Sequence, residues 1–462
     1  MTQKIAFLDR AINSATGFPA LRGTAPAEIT NSVEAFVVRA SLDMMRWKWI
    51  LDHRGPRTAT SPSRWAWLHE KAWPFSVSWP AEHIGGPVKT VPDFYSTHLD
   101  AAGATPEGKR MQKTSIPVRS CSRGAIKFPC SDKENRSMNP MAGQRIVVTG
   151  VAGFIGSHLA RSLLDDGHEV VGIDHCLGHP QEITERNLRL NEVSDRFTLI
   201  RGDLAEIPLD PHFEGAGTVF HIAARPGVRP SWGAEFSSYA RSNIVATHLL
   251  MEAAARTAVR RVVVSSSSSV YGGAPNGPVT EQDLPAPLSP YGVTKLAAEQ
   301  LALAHARRAR SRPTVVALRY FTVYGPRQRP DMLISKLIES ALTGKAVTIL
   351  GDGKQRRDFT FIADAVRANL MAMNADVEAE ALNIGTGVTT SVLDVADLVG
   401  NVVGRPVVLE FGRGQAGDVR DTHADVSRAK DVIGYRPTID LRTGLTTQLE
   451  WTLENEIVPA SE

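Results

Sequence analysis

The stretch Arg145 to Ala160, RIVVTGVAGFIGSHLA, restricts the fold more than any other part of the chain. Arg145 to Thr149 is a β-branched run of the kind that lies buried in a parallel sheet. Gly150, Gly153 and Gly156 follow at a spacing of three, and a helical pattern begins with Ser157 and His158. Each glycine has a mechanical reason. Gly150 permits the tight strand-to-helix turn, Gly153 lets a pyrophosphate approach the backbone, and Gly156 lets the helix pack closely on the strand. The helix N-terminus adds unpaired N–H groups and the positive end of a dipole. A second strand, Glu169 to Ile173, ends in Asp174. A carboxylate there accepts hydrogen bonds from an adenosine ribose and repels a 2′-phosphate. The pattern points to a dinucleotide site that takes NAD rather than NADP.

From Met141 onward, strands alternate with helical segments, which predicts right-handed βαβ units around a parallel sheet. Phe197 to Arg201 reads as the third strand, followed by Gly202, Asp203 and Leu204. Asp203 either contacts the adenine amino group or caps the next turn. Thr218 to Ile222 reads as the fourth strand and opens into Ala223, Ala224, Arg225, Pro226 and Gly227, small residues that leave room for a ribose-phosphate. Val262 to Val264 is the fifth strand and runs into five serines, Ser265 to Ser269, read as the polar mouth of a buried strand. Tyr291 and Lys295 then open a helix at i and i+4, on one face. An ammonium there, with the positive nicotinamide of NAD⁺, favours phenolate over phenol and lowers the tyrosine pKa from about 10 toward working pH, as a general base requires.

At this point the chain resembles the extended short-chain dehydrogenase/reductase family, specifically its nucleotide-sugar epimerases and dehydratases, over about residues 144–452. The resemblance rests on TGVAGFIGSHL, GIDHC, GDL, VFHIAA, SSSSSVYG, SPYGVTK, LRYFTVYGPRQRPDM, GDGKQRRDFTFIADAV, NIGTG and GDVRDTHADVSRAKDVIGYRP. It implies Ser267 as the catalytic Ser/Thr, Tyr291 as base and Lys295 as its partner and a nicotinamide-ribose ligand. Phe154, Ile155, Leu204 and Ala223 join Gly150, Gly153, Gly156, Asp174 and Asp203 as implied NAD contacts. The 4,6-dehydratases of the family place Asp-Glu directly after the catalytic Thr; here Ser268 and Ser269 stand there, which argues against water elimination. Asn243 and the GVRPSWG stretch, with Gly227 and Arg229, look like the border of the sugar pocket in UDP-glucuronate 4-epimerases. GPRQRPDM looks most like the bacterial enzymes of that activity, where the residue matching Arg327 is implied to face the sugar carboxylate, with Ser268 and Ser269 assisting. The alternatives for Arg327 are a UDP phosphate or bracing of the loop. Thr322, Arg357 and Asp418 complete the implied substrate contacts, and Arg356 stands beside Arg357.

The rest of the composition sets limits. A net charge of +3 is too small to imply a nucleic-acid partner, and it is uneven: residues 1–140 hold 19 Lys+Arg against 12 Asp+Glu, and the remainder 33 against 37. Arg307, Arg308, Arg310 and Arg312 read as a solvated helix end. Three cysteines, Cys121, Cys130 and Cys176, cannot form a disulfide framework and fit a reducing cytoplasm. No apolar run approaches the ~18 residues of a membrane span, and a secretory signal is not evident at the N-terminus. No metal site is expected, either at His175, Cys176 and His179 or at Cys121 and Cys130.

The first 140 residues differ from the rest: six of the eight tryptophans lie between Trp47 and Trp79, and the segment from Thr105 to Pro140 is expected to be largely disordered. They read either as an added interaction or targeting module or as an upstream segment, since Met138 or Met141 would begin a complete enzyme. The expected architecture is thus α/β: a poorly ordered extension over 1–140, a Rossmann-type doubly wound parallel sheet binding NAD over 141–324, and a smaller mixed α/β UDP-sugar domain over 325–462, with 357–385 partly returning to the first. The expected activity is NAD-dependent 4-epimerisation of a UDP-sugar, UDP-glucuronate to UDP-galacturonate, by a cytoplasmic homodimer. The alternatives are a UDP-glucuronate decarboxylase, an epimerase of UDP-glucose or UDP-N-acetylhexosamines, and a non-catalytic NAD-sensing protein.

Overall fold

The computed structural model describes residues 143–178, 180–274, 277–308, 313–414 and 417–455. The expectations for residues 1–140, and those involving His179, Arg310 and Arg312, lie outside the described residues.

β1 (Arg145–Thr149) leads into α1 (Phe154–Asp165), and β2 (Glu169–Asp174) into α2 (Gln181–Glu192). β3 (Phe197–Arg201) and the short α3 (Asp210–Phe213) precede β4 (Ala216–His221). After β4 come α4 (Phe236–Tyr239), a π-helical stretch at Ala240–Val245 and α5 (Ala246–Arg256). β5 (Arg261–Ser267), α6 (Pro290–Ala306) and β6 (Thr314–Tyr320) follow. The strands pair in parallel in the order β3-β2-β1-β4-β5-β6. The order reverses between β1 and β4, and such a switch point opens a crevice at the carboxyl ends of the strands.

Alternation along each strand sorts the β-branched residues onto two faces. Ile146, Val148, Val263 and Val316 join Leu159 and Leu163 of α1 in one core. Val147, Val262, Val264 and Val315 join Leu250 and Met251 of α5 and Leu303 of α6 in the other. Both faces are covered, which is why these strands read as continuous apolar runs. The fifth strand extends three residues further than Val264, because Ser265, Ser266 and Ser267 pair with Leu318, Arg319 and Tyr320. Only then does the chain turn, in a 3₁₀ segment at Ser268–Val270.

Beyond β6 lie β7 (Thr322–Tyr324), α7 (Leu333–Thr343), β8 (Val347–Leu350) and β9 (Arg356–Phe361). α8 (Ile362–Met373) and β10 (Ala379–Ile384) then rejoin the main sheet, β10 pairing in parallel with β6 as the seventh strand. The chain leaves again through β11 (Thr389–Ser391), α9 (Val392–Val403), β12 (Leu409–Gly412), α10 (Ser427–Ile433) and α11 (Leu441–Asn455). β11-β9-β7 and β12-β8 are the two small sheets of this part. No described helix is long and apolar enough to cross a membrane.

Candidate active site

The glycine turn is built as its spacing requires. Gly150 has φ +70°, and a Cβ on it would lie 2.7 Å from the Ala223 amide nitrogen; a Cβ on Gly156 would lie 2.1 Å from the Gly150 carbonyl oxygen. Strand, turn and helix are therefore in backbone contact. α1 starts at Phe154 with no side-chain cap from Gly153, so the amides of Phe154, Ile155 and Gly156 have no partner within the helix and suit an anion. Asp174 stands at the end of β2, its Oδ2 accepting from Ala152 N–H at 3.0 Å and its Oδ1 from Cys176 N–H at 2.8 Å. Ala223 donates its N–H to Thr149 Oγ1 at 3.2 Å. This cradle fits the adenosine and pyrophosphate of a dinucleotide. Of the two alternatives for Asp203, the structure displays the cap: its Oδ1 accepts from Ala205 N–H at 2.8 Å, and its Oδ2 faces Arg241 at 3.3 Å. Leu204 is buried in the core beneath.

Tyr291 and Lys295 lie in the first turns of α6, which Ser289 caps by accepting from Gly292 N–H at 3.1 Å. Ser267 ends β5, and its side chain lies near enough to the Tyr291 phenol to favour the phenolate. Ser269 N–H donates to Ser267 Oγ at 3.1 Å, so the turn through Ser268 and Ser269 fixes this hydroxyl. α6 comes close to that turn: a Cβ on Gly292 would lie 2.6 Å from the Ser269 carbonyl oxygen. The protein's own groups do not by themselves lower the Tyr291 pKa. Burial, which penalises phenolate, pushes the phenol up; Ser267 and the Arg329 charge offset this only in part. Lys295 is buried too, and burial lowers it to about 8 while the Glu299 charge holds it up.

Beside this pair, His221 at the end of β4 has Nδ1 3.0 Å from Thr149 Oγ1 and Nε2 2.8 Å from Thr247 Oγ1. The Thr247 hydroxyl donates to the Asn243 carbonyl at 2.6 Å, so the proton of the imidazole sits on Nε2. Burial first, then the Lys295 charge, lowers His221 to about 3, and it stays neutral. Asn243, in the π-helical stretch, accepts from Arg225 N–H at 2.7 Å and donates to Arg225 O at 3.1 Å and Thr294 Oγ1 at 3.0 Å. Its amide braces the loop after β4 against α6 rather than facing an open pocket.

On the far rim, Arg229 pairs with Asp418 at 3.1 Å, and both charges act on Arg357. Arg357 donates to the carbonyls of Arg420 at 3.0 Å and Val419 at 2.8 Å. Arg356 points elsewhere, to Thr389 Oγ1 at 2.8 Å. Gly227, with φ +110°, forms the adjoining bend, and Thr322 begins β7 beside β9.

Arg327 is not with this group. It is 7% exposed, with φ +64°, and the nearby charges are His158 and Arg161 of α1 and Arg186 of α2. Burial and those arginines lower it to about 10, and its Nη1 meets no hydrogen-bond acceptor among the described residues. Arg329, two residues on, is the arginine whose charge reaches Tyr291 and Tyr239. Sequence reasoning singled out Arg327 in GPRQRPDM and passed over Arg329, which forks onto Asp331 at 2.8 and 2.6 Å. It also missed Tyr239, buried edge-on to Tyr291 at 6.4 Å between ring centroids, and Ser231, whose Oγ accepts from Tyr291 N–H at 3.1 Å.

Among the described residues, His248, Glu252 and His305 bring potential metal ligands within 4.8 Å of one another. His305 lies fourteen residues along α6 from Tyr291, about 21 Å at 1.5 Å per residue. The group is remote from the chemistry.

The NAD dependent epimerase/dehydratase family model matches residues 146–385. The chain is 43% identical over 310 residues to the uncharacterized UDP-glucose epimerase YtcB of Bacillus subtilis, covering 66% of this chain and 97% of that protein. It is 36% identical over 317 residues to the UDP-glucuronate 4-epimerase of Thermodesulfobacterium geofontis, covering 67% and 96%. Among solved structures, UDP-glucuronic acid 4-epimerase from Bacillus cereus, in complex with UDP-glucuronic acid and NAD, is 40% identical at a TM-score of 0.65, over 67% of this chain and 99% of that one. Glycine cradle, serine-tipped fifth strand and matched relatives coincide, and the chain belongs to the NAD-dependent epimerase/dehydratase family.

Proposed function

We propose that this protein inverts the configuration at C4 of a UDP-sugar, with UDP-glucuronate as substrate and UDP-galacturonate as product. The observation that carries the reading is the meeting of Ser267, at the tip of β5, with Tyr291, one helical turn from Lys295 on α6, beside the dinucleotide cradle. Residues 150–156, Asp174 and Ala223 hold NAD, which supplies a reversible two-electron acceptance at the sugar carbon. The chain does the rest. Tyr291 takes the proton from the 4-hydroxyl, and Ser267 hydrogen-bonds O4 as it becomes a ketone oxygen. Lys295 holds the tyrosine end of the site positive. Inversion requires the 4-keto sugar to present its other face, so the UDP must stay anchored while the sugar turns. We assign that anchor to Arg229 and Arg357, with Asp418 pairing Arg229.

In this reading glucuronate is favoured over glucose: the Arg329 charge acts on Tyr291, and its guanidinium, which forks onto Asp331 at 2.8 and 2.6 Å, would exchange that carboxylate for the sugar's. Arg329 takes in this reading the role first expected of Arg327. The relatives, named for UDP-glucuronate and for UDP-glucose alike, support a UDP-sugar substrate without separating the two. The homodimer and the cytoplasmic location rest on the family resemblance and on cysteine usage. Incubation of the purified protein with a panel of UDP-sugars, read by NMR, tests the proposal. UDP-galacturonate from UDP-glucuronate supports it. A UDP-pentose with released CO₂ overturns it in favour of decarboxylation, to which a 4-keto hexuronate, a β-keto acid, is prone.

A further inference from the structure

A carboxylate lies fully buried one turn beyond Lys295, and the proton transfer at Tyr291 makes no direct use of it. Glu299 is 0% exposed and Arg319, on β6, 4%. Arg319 Nε donates to Glu299 Oε2 at 2.9 Å and its Nη2 to Oε1 at 2.6 Å, a bidentate fork. Ser266, the residue before Ser267, donates its hydroxyl to Oε2 at 2.6 Å. The guanidinium is held from its other side: its Nη1 donates to Tyr271 Oη at 2.6 Å, and that hydroxyl donates to Asn383 Oδ1 of β10 at 2.8 Å. One carboxylate therefore joins the tip of β5, the middle of α6 and, through Arg319, β6 and β10.

A buried ion pair is a poor source of net stability, because desolvating two charges costs about what their attraction returns. Apolar residues of similar volume would pack this site equally well, so its value lies in what it fixes. Two consequences are specific. The distance from Ser267 to the helix face carrying Tyr291 and Lys295 is set through Ser266 and Glu299. The charge beside Lys295 is set as well. Two titratable groups interact with Lys295: His221 on β4, which is neutral, and Glu299 on its own helix. Arg319 on β6 is tied to Glu299, which leaves the Glu299 carboxylate as the nearby anion that acts on the ammonium.

We propose that Glu299, gripped by Arg319 and Ser266, is a positioning residue of the reaction that spaces Ser267 from Tyr291 and keeps Lys295 an ammonium ion. The inference rests on the reading of Tyr291 as base. In Glu299→Gln the fork loses its charge and Lys295 loses the anion that favours its charged form, so Lys295 loses its proton at lower pH. Two measurements test this. The Lys295 midpoint is read by NMR of protein carrying ¹³C at lysine Cε, the signal assigned by its loss in Lys295→Arg. The alkaline limb of kcat/KM against pH is recorded on the same samples.

In Glu299→Gln both should move down by about one pH unit, as expected for loss of a neighbouring opposite charge. Arg319→Lys keeps both charges but breaks the fork, so kcat should fall about tenfold with the limb unmoved. Ser266→Ala, the mildest change and the one least able to disturb folding, should lower kcat without moving the limb. An unshifted Lys295 midpoint in Glu299→Gln, or full kcat in both Ser266→Ala and Arg319→Lys, overturns the proposal. Full activity in Tyr291→Phe would instead overturn the base assignment, and the NMR midpoint would still report on Glu299.

Discussion

His221 Nε2 lies 2.8 Å from Thr247 Oγ1, deep between the central sheet and α5, where protonation of the ring would leave its second N–H facing a buried Thr149 hydroxyl. Burial holds His221 near 3, and His158, whose Nε2 is 2.8 Å from the Pro326 carbonyl, is also lowered to about 3 by burial and by Arg327. The unfolded chain binds a proton at each site near the ordinary value of about 6.5, and the folded chain does not. Stability is therefore full above that pH and is lost as pH falls toward 3, by about 1.4 kcal/mol per pH unit per histidine. Urea unfolding should give a slope from these sites that grows from about half a proton at pH 7 to nearly two at pH 5, and to nearly one at pH 5 in His221→Gln.

Tyr291→Phe removes the proton acceptor without disturbing Ser231, which binds the backbone of that residue. We expect kcat to fall about a thousandfold, within reach of what positioned acid–base groups contribute, with unchanged far-UV circular dichroism. Ser267→Ala should fall less, since other groups of the turn remain.

Arg329 and Arg327 separate two kinds of arginine. Arg329→Met should lower kcat/KM for UDP-glucuronate about a hundredfold, the loss of a charge-assisted pair, and change turnover of UDP-glucose far less. Arg327→Leu removes an awkwardly buried charge and should alter neither ratio by more than a few-fold. A reversed pattern in steady-state kinetics with the two sugars would return the carboxylate to Arg327.

Gly156→Ala places a methyl group 2.1 Å from the Gly150 carbonyl oxygen, which no side-chain rotation relieves. The turn must open, and NAD affinity measured by calorimetry should fall at least about tenfold, with a lower melting temperature of the order expected for core overpacking.

Much of this was readable in advance because the informative residues are local. The three glycines, Asp174 and the Tyr291/Lys295 pair announce themselves by spacing, and their placement follows from one strand–turn–helix unit and one helix face. Arg329 and Glu299 are legible only once the fold is closed. Arg329 differs from Arg327 by two residues, but the left-handed backbone at Arg327 turns that side chain toward α1. Glu299 looks like any polar residue of an amphipathic helix until β6 brings Arg319 against it from twenty residues away. The Tyr291 pKa could not be read from neighbours in sequence, since burial in the closed fold outweighs the effect of Ser267 and of the Arg329 charge.

The late return of β10 to the edge of the main sheet has a consequence for how this molecule is made. The polypeptide must thread the first part of its smaller lobe, β7 to β9, before the larger one receives its last ribbon, and only then return to complete the smaller. A nascent chain released near residue 324 would leave β6 with one margin bare, ready to seek a foreign strand. The lobes are woven rather than appended, and neither can be lifted out to work alone.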